Sequence, residues 1–177
     1  MCDAKKGLIS EDELYKLELL LKQANVTVDD RRVVAPALAK EEATGAPAAA
    51  MELPDGTILT GKTSNLLGAV SALLLNALKH FAGLDDDVLL MSPDVIEPIQ
   101  NLKVQHLGNN NPRLHTDETL LALSICAASN ENAKRAMEQI SALRGCEVHS
   151  TVILSPVDER IFKRLGVNLT CEPKYQS

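Results

Sequence analysis

The segment Glu52-Leu-Pro-Asp-Gly-Thr-Ile-Leu-Thr-Gly-Lys-Thr63 constrains the fold more than any other, because its letters fit two incompatible structures. Gly56, Gly61, Lys62 and Thr63 satisfy the nucleotide-binding P-loop pattern GxxxxGK[ST]. The same residues read as a β-hairpin turned at Pro54-Asp55-Gly56 and closed by Gly61. A phosphate cradle needs inward-facing, unpaired backbone N–H groups followed at once by a helix N-terminus. Residues 57–60, Thr-Ile-Leu-Thr, instead supply three β-branched side chains that suit a pleated strand. Pairing them with residues 49–52 uses the N–H groups that a phosphate requires. An apolar strand ending directly in Asp is also missing, since residues 88–91 run into Ser92-Pro93 before Asp94. The hairpin is the reading the residues favour.

The elements around the hairpin predict an α/β fold. Upstream, Ser10 and Glu13 form a capping box, and Leu14, Leu17, Leu21 and Ala24 recur at helical spacing. A second helix, capped at Thr27 or Asp29, runs from about Asp30 to Thr44 and ends at Gly45, with Pro36 kinking or restarting it. Residues 1–45 thus read as a helical N-terminal segment and residues 46–177 as an α/β domain. After the hairpin comes a long apolar helix over residues 64–81, with Ser64 as its N-cap, ending at Gly83. Residues 88–93 and 152–156 echo each other as apolar runs ending in Ser-Pro, each predicting a strand followed by a helix with acids in its first turn. These units lead to further apolar stretches at 102–107 and 167–169. Helices are expected at 117–128 and 131–143, divided at Asn130. The order predicts a mixed sheet opened by a β-hairpin, with helices on both faces.

That order is similar to the cytidine-deaminase-like topology, without its zinc site. The deaminase signature needs His or Cys two residues before a catalytic Glu, then Pro-Cys-x-x-Cys. Residues 64–73, which open the helix after this hairpin, hold no His, Cys or Glu, and the chain contains no CxxC.

Composition narrows the classes of function. A net charge of -6, with two Phe, two Tyr and no Trp, opposes nucleic-acid binding. No apolar run reaches the ~18–20 residues of a membrane span. Residues 1–7 lack the apolar core of a signal peptide. Cys2, Cys126, Cys146 and Cys171 are scattered, which fits a reducing cytoplasm better than a disulfide framework. A cytoplasmic protein with no membrane or nucleic-acid partner is the expectation.

Five motifs carry a family resemblance: residues 52–64, Ile96-Glu-Pro-Ile-Gln100, Asn111-Pro-Arg-Leu-His-Thr-Asp-Glu118, Gly145-Cys-Glu-Val-His-Ser150 and Leu165-Gly-Val-Asn-Leu-Thr-Cys-Glu-Pro-Lys-Tyr-Gln176. Together they resemble the C-terminal part of the UPF0371 (DUF1846) proteins, over nearly the whole chain. The resemblance implies no settled activity and no known cofactor. Some members carry a label of ATP-dependent protease, for which this chain offers no HExxH. Members are considerably longer, which implies either self-association or association with the family's N-terminal region through the apolar helices.

The residues that best suit chemistry lie in the loop from Gly108 to Glu118. Asn111, Arg113, His115, Thr116 and Asp117 lead into a helix, whose N-terminus attracts anions, with Lys62 and Thr63 as further candidates. A small phosphorylated or carboxylated ligand fits these donors, and His115 is the candidate for proton transfer. The plain alternative makes Thr116 a helix cap and residues 109–112 a turn. A metal site from His115, Glu118, Cys146 and His149 is disfavoured, because strand residues three apart face opposite sides. Cys126 falls in an apolar helix, where a thiol is inert. Three functions follow: a ligand-binding or regulatory module of a larger assembly, which is preferred; an enzyme using the 111–118 loop; and a nucleotide-binding protein through Gly56 to Thr63.

Overall fold

The computed structural model describes residues 1–176. Strands β1 (Ala48–Glu52) and β2 (Ile58–Lys62) form the expected hairpin, pairing Ala50 with Thr60. Pro54 and Asp55 make the turn, closed by Gly56 N–H donating to Leu53 O at 2.9 Å and Leu53 N–H donating to Thr57 O at 2.9 Å. Gly56 sits at φ 85°, a left-handed conformation that glycine adopts without cost. The Asp55 carboxylate accepts the Thr57 N–H at 2.9 Å. On its other side β1 pairs antiparallel with β3 (Glu147–Ser150), which pairs parallel with β4 (Asn168–Cys171). The sheet order is β2-β1-β3-β4, a mixed sheet.

Helices α1 (Cys2–Lys5), α2 (Glu11–Gln23) and α3 (Val34–Thr44) precede the sheet. The capping box at Ser10 and Glu13 starts α2, and Gly45 in the left-handed region ends α3. Pro36 restarts the helix rather than kinking it, because α3 begins two residues before it, where a missing N–H costs nothing. Past the hairpin come α4 (Ala69–Phe81), α5 (Pro93–Asn101), α6 (Thr116–Cys126), α7 (Glu131–Met137) and α8 (Pro156–Leu165). Alternation along the strands divides the core. Ala49, Met51 and Val148 face α4, α6, α7 and α8, burying Leu73, Leu74, Leu78, Leu123 and Phe162. Ala50 faces the other way, onto Val33 and Ala37 at the start of α3. Helices therefore cover both faces, and four residues of β1 in a row, Ala48 to Met51, are fully buried.

Four expected elements differ. Residues 88–91 bury Leu90 and Met91 among helices without joining the sheet, so an apolar run that fits a core strand is here a buried connection. Residues 102–106 form a wide π-helical turn, Leu102–His106, that extends α5 instead of a strand. The helix expected from Ser64 starts at Ala69, because Ser64 Oγ accepts the N–H groups of Leu66 and Leu67 in a local turn. The downstream strand lies at Glu147–Ser150, and residues 152–154 follow it as a buried connection to α8. No helix among the described residues is long and apolar enough to cross a membrane.

Gly61 sets the distance between β2 and α4. A Cβ there would lie 2.5 Å from Leu73 N and 2.7 Å from Ala69 O, so only hydrogen fits. Among the described residues, Thr119 Oγ1 in α6 is the side-chain polar atom that is itself shut off from solvent and left without a hydrogen bond. Replacing it by an isosteric methyl removes an unsatisfied hydroxyl, so Thr119→Val is expected to raise stability by about 1 kcal/mol. Thermal unfolding checks this, and a lowered midpoint would show that the hydroxyl has a partner.

Candidate functional site

A cleft of about 260 Å³ opens where three helix N-termini meet, those of α4, α6 and α8. Its lining includes Thr63, Asn111, Arg113, His115, Ser155 and Asp158. The chain folds this way because residues 64–67 and 111–114 clasp each other. Leu114 N–H donates to Leu66 O at 2.9 Å, and Arg113 Nε donates to Ser64 O at 2.8 Å. Asn111 Oδ1 accepts the Arg113 N–H at 3.1 Å, which tightens the loop before the helix.

Lys103 braces the loop from below. Its side chain is only 4% exposed, and Nζ donates to Arg113 O at 2.6 Å and to Glu118 Oε2 at 2.7 Å. The same Glu118 oxygen accepts the His115 N–H at 2.8 Å. His115 is thus the N-cap of α6 and Thr116 its first residue, one position earlier than the plain sequence reading has it. The π-helical turn is what aims Lys103 inward, a use of such turns common at functional sites.

Thr116 does not cap the helix. Its N–H and Oγ1 each donate to Asp158 Oδ1 at 2.9 Å. The other carboxylate oxygen, Oδ2, faces His115 Nδ1 at 2.9 Å and accepts from Ser155 Oγ at 2.7 Å. Asp158 is 5% exposed, a buried carboxylate with every oxygen occupied. With Asp158 ionised, His115 carries its proton on Nδ1, which leaves Nε2 at the cleft without a partner among the described residues. The pair is a histidine oriented by a carboxylate, the arrangement that prepares an imidazole for proton transfer. Ser155 lies on the Nδ1 side, so it serves as the cap of α8, with the Asp158 N–H donating to its Oγ at 3.2 Å, and not as a nucleophile.

The Asp158 hydrogen bond holds His115 above its ordinary 6.5, against the desolvation that opposes it. Burial pushes the Asp158 carboxyl up, but hydrogen bonds from His115, Thr116 and Ser155 prevail and hold it below its ordinary 3.8. A raised histidine stabilises the fold fully below its unfolded value and loses that contribution as pH rises through the folded one. A lowered carboxylate does the reverse, losing its contribution as pH falls through its folded value. The pair therefore stabilises most between 3.8 and 6.5. The gap in unfolding temperature between wild type and His115→Gln is expected to peak in that window and to shrink above neutrality. A gap independent of pH would contradict the pairing.

The remaining candidates fall elsewhere. Lys62 is exposed at the end of β2, and Asp117 turns its carboxylate to the Glu118 N–H at 2.8 Å; neither lines the cleft. Six residues, 63–68, separate Lys62 from α4, so the GKT letters do not sit on a helix N-terminus. His149 is 2% exposed in β3, with Thr170 Oγ1 2.9 Å from Nδ1 and Glu172 Oε1 3.1 Å from Nε2. Burial holds its pKa down despite Glu172. Burial pushes Cys171 up to about 12, far from a reactive thiol. The residues that sequence reasoning missed as site members are Asp158 and Ser155, read only as first-turn acid and cap, and Lys103.

The family described as "Domain of unknown function DUF1846, C-terminal" matches residues 29–177. A UPF0371 protein of Corynebacterium glutamicum (strain R) is 59% identical over 161 residues, 91% of this chain and 32% of the relative. UPF0371 proteins of Corynebacterium efficiens and Streptococcus thermophilus are 53% and 49% identical over 99% and 98% of this chain, and 36% and 35% of their own lengths. The chain spans about a third of the length of these relatives. With its hairpin, helices α3 to α8 and the 111–118 loop all inside the matched region, this chain belongs to the UPF0371 family and carries its C-terminal DUF1846 domain.

Proposed function

We propose that the cleft binds a small anionic molecule and that His115 transfers a proton to or from it. The observation that carries this reading is the 2.9 Å contact of His115 Nδ1 with buried Asp158, which fixes the imidazole and leaves Nε2 facing the cleft. An imidazole, whose ordinary pKa lies near neutrality, serves as acid or base, and here its orientation is held by a carboxylate that also satisfies the buried Thr116 N–H and hydroxyl. Arg113 supplies the charge that attracts an anionic substrate. Turnover of a panel of phosphorylated and carboxylated small molecules tests the reading. Loss of a positioned acid or base costs about 10²–10⁴-fold, so His115→Gln is expected to remove turnover on that scale while ligand-induced stabilisation persists. Turnover indifferent to His115→Gln, or none across a panel that does bind, contradicts it.

A second reading concerns assembly. Helix α2 buries no residue, and Leu17, Leu20 and Leu21 are exposed on it. Together with Val28, Leu169 and Cys171 they line a groove of about 1120 Å³ between α2 and the edge strand β4. We infer that the occupant is the preceding region that the longer relatives carry, since they have about three times this length. Light scattering tests this: binding to that region of a relative should weaken with Leu17→Ser and Leu20→Ser. A dimer of this chain broken by the same substitutions would identify a second copy instead.

A further inference from the structure

We propose that the anionic end of the ligand is a phosphoryl group seated on the N-terminus of α4, beside Thr63 and Arg113. This rests on the reading of the cleft as a proton-transfer site and adds which group is bound and where. Helix α4 has 13 residues, and its N-cap, Gly68, has no side chain to accept from the first turn. The N–H groups of Ala69, Val70 and Ser71 have no partner inside the helix, and none elsewhere among the described residues. All three residues are buried and line the cleft. Ser71 cannot cap its own helix, because its Oγ donates to Leu114 O at 3.0 Å. Buried backbone donors without partners are rare, so these three are donors awaiting an acceptor.

Thr63 adds a donor from a second element. It is 9% exposed and lines the same cleft, and its hydroxyl makes no hydrogen bond to any described residue. Its backbone is fixed by Thr63 N–H donating to Pro47 O at 2.8 Å, which keeps the residue beside the cleft. A hydroxyl on a fixed, nearly enclosed residue is thus presented to the cavity. Arg113 adds a guanidinium anchored through Nε on Ser64 O, and its terminal NH₂ groups bond to no described residue.

The other two N-termini at the cleft are filled from within the chain. Asp158 takes the first N–H of α6, and Ser155 caps α8. The open donors are therefore three amides, one hydroxyl and one guanidinium edge. That number suits the three terminal oxygens of a phosphoryl group better than the two of a carboxylate. The ionisable lining agrees among the described residues: Arg113 and His115, when protonated, outweigh the carboxylate of Asp158. The helix dipole favours an anion at the same place. A cleft of about 260 Å³ suits a small phosphorylated molecule with its reacting atom at His115 Nε2.

The test is a titration of the whole chain with inorganic phosphate, followed through the amide resonances of Ala69, Val70 and Ser71, with acetate as the comparison. Saturable shifts of these amides in the millimolar range are expected, with acetate weaker. Thr63→Val and Arg113→Ala should each weaken phosphate by about tenfold, the scale of one hydrogen bond to a charged group. Silent amides overturn the proposal, and so does acetate binding as tightly as phosphate. Phosphate affinity unchanged in both variants overturns the placement. Saturable phosphate binding at these amides with no turnover of any phosphorylated compound removes the proton-transfer reading and leaves the seat standing. Turnover that depends on His115 with silent amides does the opposite.

Discussion

Asp158→Ala is expected to lower stability by about 3–5 kcal/mol, the scale for removing one partner from a buried charged network. Four groups converge on this carboxylate: the Thr116 N–H and Oγ1 on Oδ1, and Ser155 Oγ and His115 Nδ1 on Oδ2. Thr116 is fully buried, so its N–H and hydroxyl would be stranded without water. In a domain of this size the unfolding midpoint should fall on the order of 10 °C. The carboxylate is also what ties α6 to α8, since no other side chain of α8 hydrogen-bonds to α6 among the described residues. Urea titration with an unchanged slope would show that the native state has lost stability without losing its shape. A loss below about 1 kcal/mol would mean that the network is wet and weak, as exposed ion pairs are.

Gly61→Ala is expected to cost about 3 kcal/mol, at the upper end of overpacking effects. The atoms a Cβ meets, Leu73 N and Ala69 O, are backbone atoms of α4 and have no rotamer to change. Either β2 or the first turn of α4 must shift, and that turn borders the cleft. The variant therefore reads the hairpin account directly. A glycine serving a phosphate loop would leave stability intact when substituted and abolish nucleotide binding, whereas a glycine serving strand-to-helix contact lowers the unfolding midpoint with no ligand present. Lys62→Ala, at an exposed strand end, is the control and should leave stability unchanged.

Where structure follows from neighbours in sequence, it was legible. Asp55-Gly56 specified the hairpin, Ser10 with Glu13 the start of α2, Gly45 the end of α3, and Ser155-Pro156 the start of α8. Each is a local hydrogen-bonding or dihedral requirement met within a few residues. Residues 88–91 misled because an apolar run looks the same against helices as inside a sheet. Ser64 misled because the same hydroxyl chemistry caps a turn as readily as a helix. His115 was visible as a proton-transfer candidate, but its partner was not. Asp158 stands 43 residues away and looks like an ordinary first-turn acid, since only the packing of α8 on α6 brings it to Nδ1. Lys103 was hidden for a related reason, because a π-helical turn that redirects a side chain has no periodic signature.

Whether Asp158 orients and charges His115 for proton transfer can be read from the nitrogen resonances of His115 across a pH titration. A proton fixed on Nδ1 in the neutral ring and a titration above 6.5, falling in Asp158→Asn, where the carboxylate charge is gone, are expected. An ordinary titration with Nε2 protonated, the same in wild type and variant, would contradict both.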